Sequence, residues 1–288
     1  MSSMNLALMW IFGSTFSFPF APATQEIKLE DALQQQLVKM EAKGLGGYSG
    51  EVITLSLSNT TGKSLSVKIP AGSVFHPDDE GMQDIFVVQD QILAIAPKAT
   101  RWANVSGFCC LASDRSPQGN IGFKYASHPN PKLKELAAFL NGKSFDNGTL
   151  QNAVWCVSDN HNVSDIWAED RTTVQPLRDL ICKITGQKDV WYSTATNVTV
   201  DPYGHINREA VAVSGAIGFD LKKPSTITAS VKATFKDYTY DIPSKLNLPK
   251  AGHYEYDFNL RVRGWEKGKY VVVIMEGTRE LMKTEFEV

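Results

Sequence analysis

Glu51-Val52-Ile53-Thr54-Leu55-Ser56-Leu57-Ser58 runs into Asn59-Thr60-Thr61-Gly62, and Leu65-Ser66-Val67-Lys68-Ile69 follows. Ile53, Leu55 and Leu57 alternate with Thr54, Ser56 and Ser58, the period of two that puts apolar side chains on one face of a strand. Leu65, Val67 and Ile69 repeat the pattern, so the Asn/Gly-containing stretch between them reads as a hairpin turn. Further short strands are expected at 84–88, 92–95 and 103–111, enough for a small antiparallel sandwich. Upstream, residues 26–43 read as a helix, with Ile27, Leu33, Leu37 and Met40 near helical spacing and Gly44 as its stop.

From Pro131 the period changes. Leu133, Leu136, Ala137 and Leu140 fall on one helical face, and Gly142 ends the run. A second helix is expected from Thr149, read as its cap, with Leu150, Ala153, Val154 and Val157 as its stripe. A third, from Thr173 to Ile184, places Leu177, Leu180, Ile181 and Ile184 together before Gly186. The last eighty or so residues return to alternation. Ile227, Ala229, Val231, Ala233 and Phe235 form one set, and Tyr254, Tyr256, Phe258, Leu260 and Val262 another. A strand from Tyr270 to Met275, a turn at Glu276-Gly277-Thr278 and a terminal strand complete the pattern of an immunoglobulin-like sandwich. The fold class expected is therefore mainly β with a small helical layer (α+β). Residues 24–205 form an antiparallel β-sandwich with helices and 206–288 a C-terminal immunoglobulin-like β-sandwich, the boundary falling between Asn197 and Glu209.

The 288 residues suffice for two cores, and 43% hydrophobic with 21% charged is an ordinary globular balance. A net charge of −2 supplies no basic field for nucleic acid or anionic lipid. Residues 6–20 are nearly free of charge, and Ala21-Pro22-Ala23 follows with the small-x-small pattern of a cleavage site. Residues 1–23 are thus read as a signal peptide, and no later segment is apolar enough to span a membrane. Export makes the four cysteines, an even number, candidates for disulfides. The sequons at Asn59, Asn104, Asn147, Asn162 and Asn197 would be exposed loop sites.

The chemistry centres on Phe108-Cys109-Cys110-Leu111 and Leu150-Gln151-Asn152-Ala153-Val154-Trp155-Cys156. On a strand, Cys109 and Cys110 point to opposite faces, so one of them can meet the helical layer. Two bridges among Cys109, Cys110, Cys156 and Cys182 would each close a loop of some forty to seventy residues and contribute about 3–4 kcal/mol. Alternatively, Cys156 with His161, or Cys110 with His128, offers a nucleophile and a base for a cysteine-dependent hydrolase. Asp159, His161, Asp165, Glu169 and Asp170 cluster in sequence without the spacing of a calcium loop. No cofactor or metal is expected.

Two resemblances add to these readings. Leu248-Pro249-Lys250-Ala251-Gly252-His253-Tyr254 with Trp265-Glu266-Lys267-Gly268-Lys269-Tyr270-Val271-Val272 resembles the C-terminal sorting domains of type IX secretion, which are immunoglobulin-like. That likeness, over roughly 215–288, implies a sorting or anchoring role and contact with secretion machinery. Gln151-Asn152-Ala153-Val154-Trp155 with Phe108-Cys109-Cys110-Leu111 resembles the motifs of bacterial surface thioester domains. It implies a bond between Cys110 (or Cys109) and Gln151, shielded by Trp155, that captures amines on a host surface. The expected function is that of an exported, non-catalytic binding or surface-associated protein whose partner is a protein or glycan at the cell surface. A covalent adhesin and a cysteine hydrolase are the alternatives.

Overall fold

A computed structural model of the chain describes residues 26–127 and 130–288. The expected signal peptide and His128 lie outside them. The chain begins with β1 (Glu26–Lys28), α1 (Leu29–Gln34), β2 (Val38–Gly44), β3 (Ser49–Asn59) and β4 (Leu65–Ile69). Next come β5 (Ser73–Pro77), β6 (Ile85–Phe86), β7 (Gln91–Ile95), β8 (Thr100–Cys109) and β9 (Phe123–Ser127). The helices α2 (Pro131–Leu140), α3 (Asn147–Ser158) and α4 (Gln175–Thr185) follow, with two short 3-10 turns between the last two. The chain closes with β10 (Tyr192–Val200), β11 (Ile206–Leu221), β12 (Ser225–Ala233), β13 (Thr239–Leu248), β14 (Gly252–Arg261), β15 (Lys269–Glu276) and β16 (Arg279–Glu287).

The N-terminal strands make two sheets, ordered β2-β3-β8-β6-β5-β9 and β1-β4-β7. The pairing is antiparallel except for β1 with β4, which is parallel. Leu55, Leu57, Val105 and Cys109 from the larger sheet pack against Val67, Ile69 and Ile95 from the smaller to fill the sandwich. The opposite face of the larger sheet, through Phe86, Phe108 and Cys110, carries the helical layer with Leu133, Leu136, Ala153, Val154, Leu177 and Ile181. The mainly β architecture with a small helical layer is thus as the sequence reads.

The hairpin expected at Asn59-Thr60-Thr61-Gly62 is not formed. Both edges of β3 are taken, by β2 and β8, so β4 cannot pair with it and crosses to the other sheet. Asn59, only 3% exposed, shapes this corner. Its Nδ2 donates to the carbonyls of Lys63 (2.7 Å) and Ala96 (3.0 Å), and its Oδ1 accepts from Thr61 N–H (2.8 Å). A sequon at Asn59 therefore has its amide buried and engaged, and the exposed-site expectation fails there. The helix expected over 26–43 is cut to Leu29–Gln34, because Gln36 takes a left-handed φ of 56° and Val38–Gly44 then joins the sheet. Val38 and Ala42 are buried while Lys39, Glu41 and Lys43 are exposed, a period of two hidden beneath the helix-like spacing. At α3 the cap is Asp146, whose carboxylate accepts from Thr149 N–H at 2.9 Å, and not Thr149 itself.

The C-terminal strands form sheets β10-β11-β14 and β13-β12-β15-β16, three strands against four in an immunoglobulin-like order. Val213, Phe219, Val231, Phe258, Tyr270 and Phe286 fill the space between them. The stretch 197–209 holds the turn of the β10–β11 hairpin, so the crossover from helices to sandwich falls earlier, between α4 and Tyr192. Arg178 of α4 anchors that crossover. Its fully buried guanidinium donates to the carbonyls of Val163 (2.9 Å), Ile166 (3.0 Å), Val190 (3.2 Å) and Tyr192 (3.1 Å), to Ser193 Oγ and to Asp189. The carbonyls of Val163 and Val190 also accept from Ile166 N–H and Arg171, so Arg178 matters most to those of Ile166 and Tyr192.

Arg178→Met leaves Asp189 paired with Arg171 but removes the donor to the buried carbonyls of Ile166 and Tyr192. The expected loss of stability is about 1–3 kcal/mol, read from urea unfolding followed by tryptophan fluorescence, with a much smaller loss for the exposed Lys183→Met.

Candidate functional site

The end of β8 and the first turns of α3 meet at one contact. Gln151, 1% exposed, turns its carboxamide onto the backbone of Cys109. Gln151 Oε1 accepts from Cys109 N–H at 3.0 Å, and Gln151 Nε2 donates to Cys109 C=O at 2.8 Å. The same N–H also points at the carbonyl of Tyr48, at 3.0 Å. This pairing follows from strand and helix geometry. Phe108 and Cys110 face the helical core while Cys109 faces the sandwich, so the backbone between them is what a helix side chain can reach.

One turn further along α3, Trp155 is 0% exposed and lies beside Gln151 on the same face. Its ring stacks on Tyr48 (centroids 5.9 Å apart, planes at 15°) and meets His161 at 5.7 Å. From β11 of the C-terminal sandwich, the Arg208 guanidinium lies 5.1 Å from the Trp155 ring centre, a cation–π distance. Arg208 Nη1 donates to His161 Nδ1 at 2.7 Å, and Nη2 reaches Asp165 Oδ2 at 2.9 Å and Asn152 Oδ1 at 3.3 Å. Asp159, just past α3, accepts from the N–H groups of Leu111 (3.2 Å) and Ala112 (2.9 Å). It thereby holds Leu111 at a left-handed φ of 70°, immediately after the paired cysteines.

Burial dominates the electrostatics. The thiols of Cys109, Cys110 and Cys156 are pushed well above their ordinary range by loss of solvation, with nearby carboxylates adding to the effect. They are protonated at neutral pH. His161 is displaced the other way: burial and the Arg208 charge lower its pKa from 6.5, against the pull of Asp165 and Asp159. The neutral ring agrees with Nδ1 accepting from Arg208.

The six residues singled out in the sequence divide accordingly. Gln151 and Trp155 come to the strand end at the Cys109 backbone, with the Cys110 side chain in the helical core and the Cys109 side chain on the far face, in the sandwich. Cys156 points its Sγ at the carbonyl of Asn162 (3.3 Å), and Cys182 packs at the edge of the helical core. All four cysteines carry free thiols, so the sheet-to-helix bridges expected from parity are not formed. Cys109 faces a core that holds no other cysteine. Cys156 and His161 do not pair as nucleophile and base, because each is bonded elsewhere. Among the described residues no group of three His, Cys, Asp or Glu side chains is placed to hold a metal. Asp159 pins a turn, Asp165 pairs with Arg208, and Asp170 accepts from Thr172 N–H. Tyr48 and Arg208 escape sequence reading, since they lie far from α3 in the chain and carry no local motif.

Gln151→Leu removes the donor to a buried carbonyl. Stability is expected to fall by about 1–3 kcal/mol, measured by urea unfolding, and protection of the Cys109 and Cys110 amides from hydrogen exchange falls with it.

No known protein family matches the chain, and no curated protein does. Among solved structures, red sea bream transglutaminase aligns over 90% of this chain and 32% of its own, at 5% identity and a TM-score of 0.19. This chain thus spans about a third of that protein's length, and a likeness so slight assigns neither fold nor function.

Proposed function

We propose that the protein is an exported, surface-associated binding module that captures an amine on a protein partner through an internal thioester between Cys110 and Gln151. The observation that carries this reading is the contact of the buried Gln151 carboxamide with the Cys109 backbone. That contact sets Gln151 one residue from Cys110, whose thiol faces the helical core, whereas the Cys109 thiol enters the sandwich. In the forming step, Cys110 Sγ adds to the Gln151 amide carbon and the C–N bond breaks. The nitrogen leaves as ammonia, taking up the thiol proton. The Cys109 N–H, already donating to Oε1, stabilises the oxygen as it gains charge. In the capture step a primary amine attacks the same carbon, the C–S bond breaks, and the thiol regains a proton from the amine nitrogen. The product is an amide to the partner.

Trp155 supports this reading by covering the pair and excluding water, the competing nucleophile. Free protonated thiols that lack a paired histidine give a hydrolase no comparable support. The C-terminal sandwich is assigned the sorting or anchoring role that the resemblance of residues 248–254 and 265–272 to such domains implies.

Intact-mass measurement of the purified protein is expected to show the loss of one ammonia, and methylamine is expected to add to Gln151. Cys110→Ala and Gln151→Ala abolish both signals, whereas Cys109→Ala retains them. Full sequence mass with no methylamine uptake overturns the thioester. Loss of four hydrogens indicates two disulfides instead, and leaves a binding module that holds its partner without a bond.

A further inference from the structure

A thioester sealed beneath a fully buried tryptophan cannot meet an amine unless something opens. Trp155 sits between Tyr48 of the N-terminal sandwich and Arg208 of the C-terminal one. The outer nitrogens of Arg208 are occupied by His161, Asp165 and Asn152. Its Nε, and the indole Nε1 of Trp155, are buried with no acceptor among the described residues. The closed arrangement is therefore fastened along one edge of the guanidinium and strained along the other, because buried donors without acceptors carry a cost. An element so held gives way when its fastening is weakened.

We propose that Arg208 is a positioning residue for the reactive pair: from the C-terminal sandwich it holds Trp155 shut beside Gln151, and a proton on His161 releases it. The mechanism is local. At 2.7 Å from a guanidinium nitrogen, His161 Nδ1 has to act as an acceptor. Once protonated, it faces Arg208 donor to donor and cation to cation. The charged groups around the ring are Arg208 on β11, Asp165 in the 3-10 turn and Asp159 at the end of α3. The two carboxylates favour the proton, whereas Arg208 and burial oppose it more strongly. The sign follows: the fastening is complete above the ordinary histidine range and is lost as pH falls below it. The C-terminal sandwich then becomes part of the site in addition to any anchoring task. The functional consequence rests on the thioester reading, while the fastening itself does not.

The test uses the full chain. Methylamine uptake is followed by intact mass from about pH 5 to about pH 8 in wild type, His161→Gln, Arg208→Lys and Arg208→Met. Rates are compared at each pH, which cancels the amine's own titration. His161→Gln keeps an acceptor that does not titrate, so the ratio of wild-type to His161→Gln rate is expected to rise about tenfold toward acid, within the ordinary range of coupling between sites. Arg208→Met captures faster than wild type at neutral pH, and its ratio to Arg208→Met, His161→Gln stays flat with pH. In parallel, hydrogen exchange is measured on the Gln151→Ala protein, which cannot form the bond. Faster exchange confined to 149–161 on acidification, absent when His161→Gln is added, supports the fastening even if no ammonia is ever lost. Exchange that is unchanged with pH, or that rises over the whole chain together, overturns it. Absence of methylamine uptake with the exchange response intact overturns only the thioester.

Discussion

A β-strand sends successive side chains to opposite faces, and the end of β8 is where that constraint organises the N-terminal half of the molecule. Phe108 and Cys110 enter the helical core, Cys109 enters the sandwich core, and the six-stranded sheet is the wall between them. A wall one strand thick leaves its own backbone accessible to a side chain from the helical side. Gln151 takes that position, matching a donor and an acceptor to a C=O and an N–H. Shifting β8 by one residue would exchange the two cores' contents and leave Gln151 facing the wrong backbone groups. At Gly107 the strand also admits no side chain, since a Cβ there would lie 2.3 Å from Ile85 Cγ2.

Two arginines carry the junction between the halves, in different ways. Arg178 is buried completely and has its donors satisfied by carbonyls, a hydroxyl and Asp189, an arrangement that fixes one geometry. Arg208 is partly exposed, pairs with Asp165 and His161, and leaves Nε without an acceptor among the described residues. The first behaves as a rivet and the second as a latch. Trp191 adds a further tie, its indole N–H donating to the carbonyl of Glu285 at 2.8 Å. The junction therefore remains assembled when the latch alone is disturbed.

The periodic segments were legible in the sequence because their apolar stripes face a single core. The α2 and α4 stripes and the strands of the C-terminal sandwich correspond closely to their alternation. Reading failed where two periods fit the same residues. Ile27, Leu33, Leu37 and Met40 satisfy a helix, yet Val38 and Ala42 satisfy the strand that β3 requires as a neighbour. It failed again at Asn59, whose turn chemistry is real but serves a crossover, because the edges of β3 were already taken by strands distant in sequence. At the site, motif spacing brought out Gln151, Trp155 and the cysteines. Tyr48 and Arg208 did not emerge, since only the tertiary fold brings them to Trp155.

The raised thiol pKa values bear directly on what chemistry this arrangement favours. An enzyme that uses a cysteine nucleophile lowers the thiol's pKa with a histidine, a helix N-terminus or a cation. Here burial raises the three interior thiols, and His161 is committed to Arg208. Repeated turnover through a thiolate is accordingly disfavoured. A single, slow, intramolecular acylation has other requirements: a carbonyl held against the thiol, a donor on its oxygen, and exclusion of water. In the proposed thioester the Cys109 N–H supplies the donor, Gln151 lies one residue from the Cys110 thiol on the helical face, and Trp155 excludes water. The burial that makes these thiols poor catalysts would protect such a bond, which has to form only once.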